Sequence, residues 1–479
     1  MLFHRIGGNL TIRTKQFAQQ HIEQPMTSSV STLFSSPLAA CLTRPYLDRI
    51  ILNGLQKHFF PISRLWAAAE FSGLDIEEFE RQSCLKINNK NSKKLATVLE
   101  QFNQQKNRSR AADKHWEKAL FGNTDDASSY YVEAEKNRLE NRTLLNMERK
   151  KFFFLKKSVK HSVLLNPISP KELAKRFGST SATMDKHFDP VGTFPQIKLS
   201  KEIVSEHQSL RWIKFKSPNK TMNDTVYARV QSPLGISDPP TLIFGHGIAV
   251  DFDHYQYQID ELLPLVQMGI RVIRPEAPWH GRRTPFGRYS GEELLSRTPG
   301  GMFDFIAAQH KEWSILINWC REIGSAPIAI GGSSLGAQTA KSVAMRSSNW
   351  PDKLRPDALF ISTHCRHISE AALDGSLSDI WNLTNLVKGS GWSRDLARHW
   401  LEMIDPSIIP AISSKNIISL LGRSDTVTPF SSGSKHMREW NVPTENLFEY
   451  NRGHFTVPLG LLRDHRPLIR LRDILRSMT

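Results

Sequence analysis

The chain has 479 residues, 39% of them hydrophobic and 23% charged, with a formal net charge of +16. That usage is globular, and the length suits one large domain beside a smaller unit. No run approaches the ~18 apolar residues of a membrane span. About three quarters of the basic excess lies before residue 201, but no helix-turn-helix, zinc-finger or RNP pattern accompanies it, so nucleic acid is not an expected partner.

The first two dozen residues carry His4, Arg5, Arg13 and Lys15, with no acid before Glu23, and a serine-rich run follows over 27–36. Basic, serine-rich, acid-poor sequence is compatible with an organelle (mitochondrial) transit peptide. A flexible N-terminal segment over 1–45 reaches the same composition and is the simpler reading, with Met26 as an alternative start. Cys41, Cys84, Cys320 and Cys365 are far apart and form no CxxC. A disulfide framework or zinc site is therefore not expected, and reduced thiols suit a cytoplasmic location.

Residues 46–200 read as a helical region ending in a linker. Segments 64–71, 92–102 and 132–155 place apolar groups at helical spacing, as with Ala134, Leu139, Leu144, Leu145 and Met147. The stretch 149–157 mixes Lys and Arg with Phe152, Phe153 and Phe154. It reads as the end of an amphipathic helix, and contact with an anionic membrane surface is the alternative. The segment 179–201, with Pro190, Gly192 and Pro195, looks like a linker.

From 201 to 479 the rhythm changes to short apolar runs alternating with longer helical ones, the pattern of a mostly parallel sheet flanked by helices. Strands are expected at 211–215, 226–230, 241–244, 272–275, 328–330, 358–362, 417–421 and 447–450. The first two are close enough to form a hairpin at one edge. Helices are expected near 255–268 and 303–323. An insert over 366–412, helical from Glu370 to Trp400, is longer than a crossover needs and is a candidate lid.

The strand at 328–330 runs into Gly332-Ser333-Ser334-Leu335-Gly336 and then a helix. This is G-x-S-x-G between strand and helix, a turn so tight that the positions two before and two after the serine must lack bulk. Ser334 meets that condition and Ser333 does not. A serine hydroxyl needs a base to take its proton, and the base needs an acid to orient it. Asp425 follows the strand at 417–421 and His454 follows the one at 447–450, in the order such a triad requires. Either residue alone has an ordinary explanation, Asp425 as a turn cap and His454 as a loop histidine.

Two donors are needed for an oxyanion. The N–H of Leu335 is one, and Ile248, with Gly247 next, is the other, in the loop Gly245-His246-Gly247-Ile248. His246, Arg282 and Arg283 are weaker candidates for substrate contact, the arginines toward an anionic group. His364-Cys365-Arg366-His367 carries metal-type residues without a further ligand run, and no metal site is assigned.

Gly245-His246-Gly247, Pro278-Trp279-His280-Gly281, the Ser334 turn, Gly422 to Asp425 with Pro429, and Gly453-His454 together resemble the α/β-hydrolase superfamily over roughly 205–470. Trp279 stands where the superfamily often has glycine. The resemblance implies an α/β-hydrolase fold over 201–479, a cofactor-free serine mechanism, and a triad of Ser334, Asp425 and His454. Asp374 is the reserve acid, since the superfamily sometimes draws it from beyond the sixth strand.

The expected function is cleavage of a carboxylic ester, or a thioester or amide, through an acyl-enzyme. The partner is a small-molecule or lipid ester, and the oligomeric state is open. An acyltransferase or a membrane-surface lipid hydrolase with the same triad, and a non-catalytic binding protein of this fold, are the alternatives.

Overall fold

The computed structural model describes residues 44–479 except 124–126, 207, 252–258, 382–387 and 406–407. The expected flexible or transit segment therefore lies almost entirely outside the described residues.

The strands are β1 (Lys198–Leu199), β2 (Ile203–Val204), β3 (Gln208–Lys216), β4 (Thr225–Pro233), β5 (Thr241–Gly245), β6 (Arg271–Pro275), β7 (Ile328–Ser333), β8 (Ala358–Ser362), β9 (Ile417–Gly422) and β10 (Leu447–Tyr450). They form one sheet of order β1-β3-β4-β6-β5-β7-β8-β9-β10, with β2 also paired to β3. β3 and β4 form the expected antiparallel hairpin, and β4 runs antiparallel to β6. All pairings from β6 through β10 are parallel.

Alternation along each central strand feeds two cores, because successive side chains leave a strand on opposite faces. Ile243, Ile328, Ile330, Leu359 and Ile361 join one cluster with Trp313, Ala340 and Val343 of the helices Gly300–Ile323 and Leu335–Arg346. Leu242, Phe244, Ala329, Ala358 and Phe360 join another with Leu468 and Leu471 of the C-terminal helix Arg466–Arg476. This is a mostly parallel sheet covered on both faces by helices, the architecture expected from the sequence.

Residues 45–158 form the helices Pro45–Gly54, Phe60–Ser72, Ile76–Ser83, Asn89–Phe121 and Ser128–Met147, followed by a 3₁₀ segment Glu148–Ser158. The single helix expected over 132–155 therefore ends at Met147. A 3₁₀ turn takes three residues, so Arg149, Phe152 and Leu155 share one face, and all three are buried. Phe153 points the other way and is half exposed.

Two further expectations change. The segment read as a linker packs: Met184, Phe188 and Val191 are buried, and the Val191 N–H donates to Ser314 Oγ at 3.3 Å. Of the helix expected near 255–268, residues 255–258 lie outside the described residues, and the described remainder is helical over Leu263–Gln267. No helix among the described residues is long and apolar enough to cross a membrane.

Specific contacts join the N-terminal helices to the sheet. Trp116 meets Trp212 of β3 edge-on at 5.5 Å between ring centroids. Arg64, 2% exposed, pairs with the fully buried Glu292 at 2.5 Å and donates to the Gly287 carbonyl at 2.9 Å. Breaking one partner of such a pair leaves a charge with no water to solvate it. Arg64→Met is expected to lower unfolding stability by about 3–5 kcal/mol, read from the urea midpoint, and Arg64→Met with Glu292→Leu should recover much of the loss.

Candidate active site

β7 ends in the turn that carries Ser334, and glycine is needed there because the chains nearly touch. A Cβ at Gly332 would lie 2.3 Å from the carbonyl carbon of Gly336, and one at Gly336 would lie 2.1 Å from the Gly245 carbonyl oxygen. Ser334 itself sits at φ 56°, ψ −117°, a conformation that costs an L-residue on the order of 1–3 kcal/mol and persists only when its surroundings hold it. The holding groups are on β8 and just after it: the Ser334 N–H donates to the Ser362 carbonyl at 3.1 Å and to Thr363 Oγ1 at 3.2 Å.

The structure brings the three expected residues together. His454 Nε2 lies 2.9 Å from Ser334 Oγ, and His454 Nδ1 lies 2.8 Å from Asp425 Oδ2. Asp425 is saturated: Oδ1 accepts from the N–H groups of Val427 and Thr428, both at 2.9 Å, and Oδ2 also accepts from Thr428 Oγ1 at 2.8 Å. It is thus a turn cap and a histidine partner at once. Asp425 and His454 are buried, while Ser334 keeps partial exposure. Asp374, the reserve acid, is instead bridged by Arg394 and by Arg398 at 2.9 Å.

Leu335 is the first residue of its helix, where backbone N–H groups have no intrahelical acceptor. A Cβ on Gly247 would lie 3.6 Å from Ser334 Cβ, so the loop after β5 runs against the serine. Ile248 follows there, packed against two apolar clusters.

Two histidines brace this loop. His280 Nε2 accepts from the Ala249 N–H at 3.2 Å while Nδ1 contacts the Pro278 carbonyl at 2.8 Å. His246 Nε2 accepts from the Ala277 N–H at 3.2 Å while Nδ1 contacts the Gly247 carbonyl at 2.8 Å. Each ring thereby carries its proton on Nδ1, and burial lowers both pKa values, that of His280 to about 3. These are neutral struts.

Arg282 and Arg283, the weaker candidates for substrate contact, are occupied within the protein. Arg283 is buried and donates to Asp224 at 2.8 and 3.0 Å, to Glu312 at 2.7 and 2.8 Å and to the Glu276 carbonyl at 2.9 Å. Arg282 pairs with Glu276 and lies 4.6 Å from the Trp116 ring and 4.7 Å from that of Trp212. His364 and His367 turn to separate partners, Ser419 Oγ at 2.8 Å and the Asp405 carbonyl at 3.2 Å. Among the described residues no three ligand-type side chains converge on a metal position.

One important contact comes from far away in sequence. Asp48, on the helix Pro45–Gly54, accepts from the Phe455 N–H and from Thr456 Oγ1, both at 2.6 Å. Thr456 Oγ1 in turn accepts from the Gly453 N–H at 2.9 Å. A Cβ on Gly453 would lie 2.4 Å from Asp48 Cγ, which explains the glycine before His454. No local pattern around Asp48 announces this role, because its partners are about 400 residues away.

Burial raises the Asp48 pKa against the pull of these two bonds. Its contribution to stability is therefore full below the unfolded-state value and declines as pH rises through the folded one. Asp48→Ala is expected to cost about 1–3 kcal/mol, with the deficit largest at acid pH, measured by thermal melts across a pH series. Faster amide exchange at Phe455 should accompany it.

No family model matches the chain. The esterase YjfP of Escherichia coli (strain K12) is 31% identical over 122 residues, 24% of this chain and 44% of that protein. The match thus spans less than half of that relative's length. Among solved structures, an acetyl xylan esterase from Paenibacillus sp. R4 superimposes with TM-score 0.42 at 14% identity, over 65% of this chain and 96% of that one. A bacterial heroin esterase gives TM-score 0.35 at 16% identity, over 66% and 95%. An S-formylglutathione hydrolase from Agrobacterium tumefaciens gives 0.38 at 13%, over 57% and 98%. A serine turn set between β7 and its helix, with an acid and a histidine following later strands of the same sheet, is the arrangement of a nucleophile elbow with its two partners, and a 122-residue stretch of the chain is similar in sequence to an esterase.

Proposed function

We propose that the protein is a serine hydrolase that cleaves a carboxylic ester through an acyl-enzyme on Ser334. The observation that carries this reading is the continuous hydrogen-bonded chain Ser334 Oγ–His454–Asp425, with both contacts of the imidazole under 3 Å. In this reading Ser334 Oγ attacks the carbonyl carbon while His454 Nε2 takes its proton. His454 then gives that proton to the leaving oxygen and activates water to release the acid. Asp425 holds the ring with Nδ1 protonated and stabilises the imidazolium that forms. The N–H groups of Leu335 and Ile248, with Gly247 letting the loop approach, receive the oxyanion. No cofactor enters these steps.

The N-terminal helices over 46–200 and the insert over 366–412 act as cap and lid over the catalytic domain, 201–479. Supporting this, Phe60 from the first and Trp381 from the second meet at 4.8 Å between centroids, in the same apolar cluster that takes in Ile248 and Phe455. An ester with an apolar acyl group fits such surroundings better than a charged one.

Labelling of the purified chain with a fluorophosphonate probe, together with hydrolysis of p-nitrophenyl esters of increasing chain length, tests the proposal. Ser334→Ala is expected to abolish labelling and to reduce kcat by at least about 10³. Undiminished labelling of that variant would sink the nucleophile assignment. Trp381→Ala should change the chain-length preference and leave labelling in place.

A further inference from the structure

A cavity of about 730 Å³ opens between the helices Asn89–Phe121 and Ser128–Met147 and the loop 281–290, and none of Ser334, Asp425 and His454 lines it. Among the described residues its wall carries eight Lys and Arg side chains against four Asp and Glu. Several of the cations are answered by those acids: Arg142 by Asp251 at 3.1 Å, Arg110 by Glu70 at 3.7 Å, and Lys214 by Glu117.

Arg149 is not. It is only 8% exposed, its Nε has no hydrogen-bond partner, and among the described residues no carboxylate pairs with it. The rings of Phe59 and Trp66 hold its guanidinium at 5.3 and 4.9 Å. Burial lowers its pKa to about 10, which still leaves it charged at neutral pH. A buried guanidinium with open donors is costly unless something anionic reaches it, and its planar fork suits the paired oxygens of a phosphate or carboxylate. Lys114 and Lys118, one turn apart on the Asn89–Phe121 helix, are exposed at the mouth of the same cavity. They place two more positive charges along the approach.

We propose that this cavity is a binding site for a small polyanion carrying phosphate or carboxylate groups, anchored at its inner end by Arg149 and drawn in by Lys114 and Lys118. The site is separate from the Ser334 chemistry and does not depend on it.

Isothermal titration of the full chain with pyrophosphate, ATP and citrate, at about 50 mM salt so that screening is modest, tests the proposal. At least one probe is expected to bind saturably at one site and to weaken as salt is raised. Binding by pyrophosphate and ATP but not citrate identifies phosphate as the recognised group, and the reverse identifies carboxylate. Arg149→Met should weaken binding at least about tenfold, while Ser334→Ala should bind as the parent does. Lys114→Glu with Lys118→Glu, at exposed positions that leave the core untouched, should weaken it by about the same factor and decides the matter if the Arg149 variant does not fold. Absence of saturable binding by all three probes, or parent-like affinity in the double lysine variant, overturns the proposal.

Discussion

The close backbone contact between the loop after β5 and the helix after β7 is the constraint on which the rest of this molecule depends. Gly336 can lie against Gly245 only because neither carries a side chain, and that approach lets the chain turn sharply enough to hold Ser334 at positive φ. The same contact brings Gly247 against the serine, so the position of the hydroxyl and that of the nearby backbone donors are set by one piece of packing. The strain at Ser334 is offset by bonds from its N–H to Ser362 and Thr363, which tie the turn to β8. A rigid central sheet is what makes a strained turn sustainable.

Around that turn the protein uses neutral and charged groups in different ways. His246 and His280 are kept uncharged by burial and serve as acceptors for backbone N–H groups, which fixes the two loops flanking the site without adding charge near it. Two buried arginines away from the site are matched by carboxylates: Arg283 spans Asp224 and Glu312, and Arg64 is set on Glu292. Such pairs contribute little net stability over an apolar substitute, but they admit few alternative arrangements. The first ties the turn after β6 to the start of β4 and to the helix Gly300–Ile323, and the second ties the helix Phe60–Ser72 to the short helix Glu292–Ser296.

The N-terminal helices are therefore more than a covering. Asp48 reaches across the fold to hold the backbone on the far side of His454, so the histidine is positioned by a residue outside the sheet on which it is carried. Phe60, Leu65 and Trp66 share a cluster with Tyr289, Leu377 and Trp381, so the N-terminal helices and the insert after β8 form one apolar body above the sheet.

Along the chain, the features legible from the sequence are those fixed by local physics. Strand after strand of alternating or continuous apolar residues locates the central sheet, and the eight expected strands are found to within a few residues at their ends, while the two-residue edge strands β1 and β2 are not among those expected. Gly332, Ser334 and Gly336 announce the turn because steric exclusion acts within five residues. Asp425 and His454 are legible because each follows a recognisable strand. Local reading fails where partners are remote: the folded segment at 184–199 looks like a linker until the helix it covers is seen, and the 3₁₀ face of Arg149, Phe152 and Leu155 is hidden inside an apparently continuous helical pattern. Arg282 and Arg283 read alike in sequence, yet one stacks on tryptophans and the other is buried among carboxylates. Those assignments, and the contact of Asp48 with the histidine loop, depend on which surfaces meet when the chain closes on itself, and only the tertiary structure decides that.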